Sequence, residues 1–225
     1  MEAEIKRQII LDTETSGLDF ENDRIIEIGC LELIDGIFTG KKFHKYYKPD
    51  NIVISHEAEQ IHGLNNSFLS KFPSFDEDID SFLGFIDDSE LIIHNAQFDL
   101  SMINHSLKRL SKDTIHKENT LCTLEMARKK FPGSKNNLNA LCRRFEISLE
   151  NREKHGALTD SFLLLDVYNE LLGGKQQFLE FNLDIIKQKQ EIKVFNSDNF
   201  IKVNITEEEA IKHSSMLSSL KNNIW

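Results

Sequence analysis

The sequence predicts an α/β domain in which a mixed β-sheet is flanked by helices. Three strand patterns lie close together near the start of the chain, and their short spacing favours an antiparallel meander. A fourth apolar strand and a series of helical patterns follow up to residue 174, which is the organisation of a layered α/β domain. The later residues are polar, and they predict a C-terminal linker followed by a helical tail.

The four strands are predicted at residues 7–13, 25–33, 43–47 and 91–93. Three successive apolar residues, Ile9–Leu11, indicate that the first strand is buried on both faces. The second strand alternates between apolar and other residues, and Asp35-Gly36 predicts a hairpin turn between the second and third strands. Pro49 ends the third strand.

Apolar residues at helical spacing predict helices between these strands and after them. Ser55 is expected to cap a short helix that ends near Gly63, because serine accepts from free N–H groups and glycine tolerates the left-handed end. The remaining helices are predicted over residues 74–86, 98–107, 123–131, 137–145 and 157–172, the last of them preceded by His155-Gly156.

Composition limits the function without fixing it. The 225 residues suffice for one core and a small appendage, and 40% hydrophobic with 28% charged residues is typical of soluble globular proteins. A formal net charge of −10 argues against strong free-standing affinity for nucleic acid, because phosphate binding depends on cations. It does not exclude a nuclease, since acids can be metal ligands and a partner can hold the DNA.

The sequence shows no targeting segment. No apolar run approaches the roughly 20 residues of a membrane helix, so no membrane partner is expected, and the acidic start of the chain lacks the apolar core of a signal peptide. Cys30, Cys122 and Cys142 form no CxxC pair. They predict reduced core thiols in a cytosolic protein.

Two carboxylates end the first strand. Asp12 and Glu14 are alternate residues and therefore project to one face, and residues 15–17 are expected to break the strand and leave both at its exposed end. Such close carboxylates repel unless a cation lies between them, and hard oxygen ligands suit Mg²⁺ or Mn²⁺. Taken alone the pair is a weak signal, because most such pairs are solvated charges.

Two later motifs strengthen the prediction of a metal site at Asp12 and Glu14. Asp99 closes the segment 94–99 after the fourth strand, and Asp160 follows His155 by five residues. With Asp12 and Glu14, this set resembles the three exonuclease motifs of the DEDD superfamily, histidine-containing branch, on a ribonuclease H-like fold.

Three more segments extend the resemblance to the bacterial DNA polymerase III epsilon (DnaQ-like) family of proofreading exonucleases. They are residues 61–64, 127–133 and 138–142. The resemblance covers residues 7–174, and it implies a ribonuclease H-like exonuclease domain over residues 1–175.

The resemblance implies hydrolysis of phosphodiesters with two metal ions, Mg²⁺ or Mn²⁺, per active site. Asp12 would bridge both ions, Glu14 and Asp160 would complete the shell of the water-bearing ion, and Asp99 would hold the second. His155 would take the proton of the attacking water, a task suited to the ordinary imidazole pKa of about 6.5. The expected reaction runs 3′→5′ and releases nucleoside 5′-monophosphates from single-stranded or frayed ends.

Substrate contacts are also implied. Glu57 and His62 match positions where the family contacts the terminal nucleotide, although His62 could serve only the turn at Gly63. Thr13 and Thr15 are expected to bind substrate through backbone or hydroxyl groups, beside the carboxylates Asp12, Glu14 and Asp160. His94 and Asn95 are interpreted as positioning groups rather than ligands.

Each site residue also has an ordinary structural explanation. His155 could be a helix-entry residue, Asp160 a charge favoured by the helix dipole, and Asp99 a solvated helical acid. All of these explanations holding together is improbable, which favours the enzyme.

The tail carries two predicted interactions. Gln176, Leu179 and Phe181 fit a Gln-x-x-Leu-x-Phe peptide that resembles sliding-clamp binding peptides, although the phenylalanines could simply pack against the preceding helix. Residues 176–200 are therefore assigned to a clamp-binding peptide and linker. Residues 201–225, which contain a helix capped by Thr206, are assigned to binding of the polymerase.

The resulting hypothesis is a proofreading 3′→5′ DNA exonuclease of the replicative polymerase, in the bacterial cytoplasm at the nucleoid-associated replisome. Expected partners are 3′ DNA ends, the polymerase catalytic subunit, the sliding clamp and a small stabilising accessory subunit. Two alternatives stay open: a stand-alone DNA/RNA exonuclease similar to ribonuclease T, and a non-catalytic replisome scaffold.

Overall fold

The structure, a computed structural model, describes residues 5–150, 152, 154–174, 208, 211, 212 and 215. The chain forms two compact units, Met1–Phe178 and Leu179–Trp225, and the strands and helices described below lie in the first. In the second unit, residues 208, 211, 212 and 215 are helical, in the region where the tail helix is predicted. The predicted domain limits at residues 175 and 200 fall outside the described residues and stay predictions.

A five-stranded mixed sheet forms the centre of the first unit, with the strand order β3–β2–β1–β4–β5. The strands are β1 (Arg7–Thr15), β2 (Ile25–Ile34), β3 (Ile37–Tyr46), β4 (Glu90–Ile93) and β5 (Thr120–Cys122). The first three pair antiparallel, whereas β4 runs parallel to β1 and β5 runs parallel to β4. The predicted meander and α/β class are confirmed.

The hairpin between β2 and β3 turns where predicted. Asp35 has φ of 50° and Gly36 has φ of 77°. Positive φ at both central residues is the geometry of a type I′ turn, whose twist matches that of the strands it joins.

The prediction for the end of β1 is wrong. β1 continues to Thr15, because β2 is long enough to extend the ladder: Asp12 pairs with Gly29 and Glu14 with Glu27. Glu14 is only 9% exposed, and so the carboxylates lie within a covered strand rather than at an exposed end. β5 was not predicted, because three residues are too few to show a pattern.

Seven α-helices are described, with one 3₁₀ turn at Lys117–Asn119. They are α1 (His56–His62), α2 (Asn66–Leu69), α3 (Phe75–Ile86), α4 (Ala96–Arg109), α5 (Thr123–Lys130), α6 (Leu138–Arg144) and α7 (Ala157–Leu172). All predicted helices of the domain are present, and the single turn of α2 is the one addition.

Local sequence explains the helix ends. The Ser55 side chain accepts from the Ala58 N–H at 3.2 Å, and Gly63 ends α1 with φ of 75°, both as predicted. Ser74 and Glu77 form a capping box at the start of α3, in which each side chain accepts from the other residue's backbone N–H.

Helices cover both faces of the sheet. Ile9 and Leu11 pack with residues of α3 and α4, such as Phe82 and Ile103, whereas Ile10 packs on the opposite face with α7. Burial on both faces is why β1 and β4 read as continuous apolar runs rather than alternating ones.

Gly29 sets the distance between β2 and the start of α7. A Cβ atom at this position would collide with the backbone of Ala157 and Leu158, and the Ser161 hydroxyl donates to the Gly29 carbonyl at 2.8 Å. Gly29→Ala should therefore lower the free energy of unfolding by about 1–3 kcal/mol, the usual cost of overpacking.

Gly84 provides the matched control, because it lies inside α3 and a Cβ atom there meets nothing within 4 Å. Gly84→Ala should raise the free energy of unfolding by about 0.4–1 kcal/mol. Urea unfolding of both variants measures the difference, and equal effects of the two substitutions would contradict the proposed close approach.

Among the described residues, no helix is both long and apolar enough to cross a membrane. Cys30, Cys122 and Cys142 are unpaired, as predicted. Cys30 and Cys142 lie in the core as predicted. The core placement predicted for Cys122 is wrong, because this residue ends the short edge strand β5 and is partly exposed.

Candidate active site

Three elements bring the predicted acidic residues to one edge of the sheet. β1 and β4 are parallel, and so their carboxyl ends meet there, with Asp12 and Glu14 on β1. α4 begins directly after β4 and carries Asp99 in its first turn, and α7 carries Asp160 in its first turn. Burial, followed by the charges of Asp99, Glu14 and Asp160, raises the pKa of Asp12, as is typical of carboxylates gathered in one site.

The alternation along β1 divides the site between two faces. Asp12 and Glu14 have the parity of Ile10, whose face is covered by α7. Thr13 has the opposite parity, and its Oγ1 donates to Asp99 Oδ1 at 2.7 Å. The strand therefore presents carboxylates toward α7 while its intervening threonine fixes the carboxylate of α4.

Burial raises the pKa values of three of these acids, and repulsion from neighbouring carboxylates adds to the rise at Asp12 and Glu14. Burial raises the pKa of Asp12 well above its usual range, and Asp99, Glu14 and Asp160 add to this effect. Burial, followed by the charges of Asp160, Glu27 and Asp99, raises the pKa of Glu14 to about 8. Burial raises the pKa of Asp99 to about 7, although the hydrogen bond from Thr13 opposes it. Such a cluster attracts a cation, because a cation relieves the repulsion.

His155 completes the cluster. Ligand atoms of Glu14, His155 and Asp160 lie within 4.8 Å of one another, and His155 Nδ1 is 3.2 Å from Asp160 Oδ2. The His155 N–H donates to the Ile61 carbonyl at 3.1 Å, which ties the segment before α7 to α1. The imidazole is 42% exposed, and so it borders solvent while facing the carboxylates.

Arg152 is a site residue that was not predicted. Its guanidinium donates to Asp160 Oδ2, to Asn139 Oδ1 and, at 2.9 Å, to His155 Nδ1. Its side chain is only 5% exposed, although it lies in a polar stretch of the sequence. The one available signal was its position three residues before His155.

The two predicted threonines use their hydroxyl protons within the protein. Thr13 donates to Asp99 as described, and Thr15 Oγ1 donates to the Gly17 carbonyl at 2.6 Å. Both residues are buried. Their contact with substrate stays a prediction.

The two predicted substrate-binding residues of α1 differ in their exposure to solvent. His62 is buried, and its Nδ1 accepts from the Leu64 N–H at 3.0 Å, which is the turn role considered for it. Burial lowers the pKa of His62. Glu57 is exposed in the first turn of α1. Neither position tests their predicted contact with a nucleotide.

His94 and Asn95 fix the junction between β4 and α4. His94 Nδ1 is 2.9 Å from Thr123 Oγ1, and burial lowers the pKa of His94 to about 4. Asn95 precedes α4 with φ of 64°, a left-handed conformation that asparagine tolerates better than most residues. Both placements agree with their interpretation as positioning groups.

The predicted clamp-binding residues Gln176, Leu179 and Phe181 lie outside the described residues, as does Trp225.

The donor set fits divalent cations. It offers several carboxylate oxygens, which are the ligands that Mg²⁺ and Mn²⁺ prefer. Among the described residues, Asp160 Oδ1 is buried without a hydrogen-bond partner. A buried carboxylate oxygen that lacks a donor is costly unless a cation binds it, so this atom supports a metal site.

Comparisons with known proteins agree with this geometry. The family model described as Exonuclease (RNase_T) matches residues 9–168. The chain is 44% identical over 222 residues to DNA polymerase III subunit epsilon of Rickettsia conorii, with 95% of this chain and 96% of that protein covered. It is 42% identical over 200 residues to the subunit of the same name from Escherichia coli strain K12, with 85% and 81% covered.

A solved structure resembles the domain as well. Exonuclease X in complex with 5′ overhanging duplex DNA matches with a TM-score of 0.55 and 28% identity, over 72% of this chain and 92% of that one. The ribonuclease H-like exonuclease fold expected from the motifs is thereby confirmed. The chain belongs to the DNA polymerase III subunit epsilon family and is a 3′→5′ exonuclease.

Proposed function

We propose that the chain is the proofreading subunit of a replicative DNA polymerase, which removes mispaired 3′ termini by two-metal hydrolysis and releases nucleoside 5′-monophosphates. The observation that carries the proposal is the convergence of Asp12, Glu14, Asp99 and Asp160 with His155 at one edge of the sheet. The relatives' name supports the link to a polymerase and to DNA, and with it a place at the replisome in the cytoplasm.

The carboxylates would hold the ions in a division set by the fold. Asp12 lies among the other three acids and would contact both ions. Glu14 and Asp160, which lie together with His155, would hold one ion, and Asp99 on the opposite side would hold the other. When bound, two such ions activate a water molecule and stabilise the leaving oxygen.

His155 is placed to accept the proton of the attacking water. Its Nδ1 faces Asp160, so Nε2 is the nitrogen left to take the proton. In the tautomer with its proton on Nδ1, the ring would be held by Asp160 accepting from Nδ1–H, as carboxylates orient catalytic imidazoles elsewhere. In the structure Arg152 donates to Nδ1 at 2.9 Å instead. The tie from the His155 N–H to Ile61 on α1 keeps this segment against the sheet edge.

Glu57 and His62 would contact the terminal nucleotide from α1, and backbone groups of Thr13 and Thr15 would contact it from β1. The hydroxyl protons of both threonines are already used within the protein. We therefore assign the substrate contact of β1 to its backbone.

A primer-extension duplex tests the function directly. We expect Mg²⁺-dependent release of nucleoside 5′-monophosphates from the 3′ end, faster from a mismatched than from a matched terminus, and none in EDTA. A 5′-labelled strand distinguishes the direction, and an RNA primer tests the ribonuclease alternative. Absence of cleavage under all of these conditions would favour the scaffold instead.

We propose that the C-terminal tail binds the polymerase catalytic subunit and the sliding clamp. Deleting residues 182–225 should abolish association with the polymerase catalytic subunit yet spare cleavage of free single strands, because large aromatics such as Trp225 dominate interfaces. Gel filtration with the purified subunit measures this, and co-elution of the deletion variant with polymerase would contradict it.

The clamp peptide is tested separately. Replacing Gln176, Leu179 and Phe181 together by alanine should weaken binding to the sliding clamp and leave polymerase binding unchanged. Loss of polymerase binding in this variant would contradict the division of the tail. A small stabilising accessory subunit is a further proposed partner.

A further inference from the structure

Arg152 forms an ion pair with Asp160 inside the active site. Its guanidinium donates to Asp160 Oδ2, and the two side chains are 5% and 4% exposed. The Asn139 side chain on α6 accepts from the same guanidinium, and the Arg152 N–H donates to the Leu149 carbonyl at 3.0 Å. The arginine is therefore held inside the site by α6 and by its own loop, and it is not a surface charge that meets the site by chance.

A divalent ion and Arg152 compete for Asp160. Both are cations that draw on the negative charge of the Asp160 carboxylate, in a poorly solvated place where charges interact strongly. Arg152 donates to Oδ2, and Oδ1 is the oxygen left for an ion. The positive charge of Arg152 also acts on Asp12 and Glu14. There it offsets a part of the rise in pKa that burial and the neighbouring carboxylates cause. An ion at these carboxylates consequently meets a resident positive charge, which must withdraw for the ion to bind most tightly.

Arg152 also determines which nitrogen of His155 can accept a proton. A guanidinium only donates, so Nδ1 accepts in the 2.9 Å contact and the proton of the neutral ring lies on Nε2. A ring in that form cannot take a proton at Nε2. Withdrawal of Arg152 allows Nδ1–H to donate to Asp160 Oδ2, 3.2 Å away, and leaves Nε2 free to accept.

We propose that Arg152 is an internal cation that holds the site closed by competing with divalent metal for Asp160, and that metal binding, by displacing it, releases His155. Arg152 is a positioning residue, since it acts through Asp160 and His155. The proposal rests on the proposed metal-dependent function, and it adds a mechanism by which metal loading and base activation occur together.

Metal affinity measured without substrate tests the proposal. Isothermal titration with Mn²⁺ should show that Arg152→Gln binds the ion about tenfold more tightly than the wild type, because a nearby positive charge is lost. Arg152→Lys keeps the charge and should stay within about threefold of the wild type. Equal or weaker Mn²⁺ binding by Arg152→Gln would overturn the proposal, as would tightening of the same size in Arg152→Lys.

Arg143 supplies the matched control. It is an exposed arginine of α6 that lines the same surface groove as Arg152 and His155. Among the described residues, Asp160 pairs with Arg152 and not with Arg143. Arg143→Gln should leave Mn²⁺ affinity unchanged. Tightening equal to that of Arg152→Gln would show a general effect of net charge and overturn the specific competition.

A second readout follows the imidazole itself. The ¹⁵N shifts of the His155 ring should report a proton on Nε2 in EDTA and on Nδ1 with saturating Mg²⁺. Arg152→Gln should reduce this change, and an unchanged tautomer on Mg²⁺ binding in the wild type would contradict the release of His155. The two levels of failure differ: a wild type that binds no metal refutes the proposed function, whereas metal binding that is insensitive to Arg152 refutes only this inference.

Discussion

Asp12→Ala is expected to lower the rate of 3′-terminal hydrolysis by about 10⁴-fold or more. Asp12 lies among Glu14, Asp99 and Asp160 and is the proposed shared ligand, so its loss affects both ions at once. Metal ions supply several kcal/mol of transition-state stabilisation, and about 1.4 kcal/mol corresponds to each tenfold in rate. Single-turnover digestion of a 3′-labelled strand measures the loss.

The same variant should be at least as stable as the wild type when metal is absent. Burial followed by repulsion raises the pKa of Asp12 and raises that of Glu14 to about 8, and burial raises the pKa of Asp99 to about 7. A raised carboxyl pKa favours the folded state below the unfolded pKa of about 4, and this stabilisation is lost as pH rises through the folded pKa. In EDTA the wild type should therefore lose stability between about pH 5 and 8, and Asp12→Ala should lose less.

Asp166→Ala is the matched control for the hydrolysis measurement on Asp12→Ala. Asp166 lies on the exposed face of α7, six residues after Asp160, and so its loss should leave hydrolysis unchanged. Near-native turnover in Asp12→Ala, or equal losses in both variants, would contradict the shared-ligand assignment.

His155→Ala is expected to lower turnover by roughly 10²–10⁴-fold, which is the usual contribution of a general acid–base group. Mn²⁺ affinity should remain close to that of the wild type, because the carboxylates supply the ligands. The geometry also permits the other role, since His155 lies within ligand distance of Glu14 and Asp160. Turnover and metal titration measured on the same preparation separate the two roles.

His116→Ala controls for the loss of an imidazole. His116 is exposed in the loop before the 3₁₀ turn, and its replacement should change neither quantity. A large loss of Mn²⁺ affinity in His155→Ala, with turnover restored by excess metal, would identify His155 as a ligand and contradict its role as a base.

Much of the fold was predictable because local signals were strong. Ser55, Ser74 and Gly63 mark helix ends through their own hydrogen bonds and backbone preference, and the apolar run of β1 predicts burial on both faces. Asp12 and Glu14 could be paired from the sequence because they obey strand alternation. Asp99 and Asp160 could be linked to them only through the family resemblance, since their proximity arises from tertiary packing.

The features that escaped prediction depend on contacts distant in sequence. β1 extends to Thr15 because β2 offers partners across the sheet, which no property of residues 13–15 reveals. Gly29 did indicate a close approach of another backbone, since a glycine inside an apolar strand often has this role. The sequence could not identify that backbone as α7, because α7 is more than a hundred residues away. Arg152 lies in a charged stretch, and only packing against α6 and Asp160 distinguishes it from a solvated arginine.

Anomalous scattering from Mn²⁺ in crystals with a bound nucleoside 5′-monophosphate tests the central claim most directly. We expect two peaks about 3.5–4 Å apart at the sheet edge, both within ligand distance of Asp12, one beside Glu14 and Asp160 and the other beside Asp99. A single peak at full Mn²⁺ occupancy, or two peaks that do not share Asp12, would contradict the two-metal assignment.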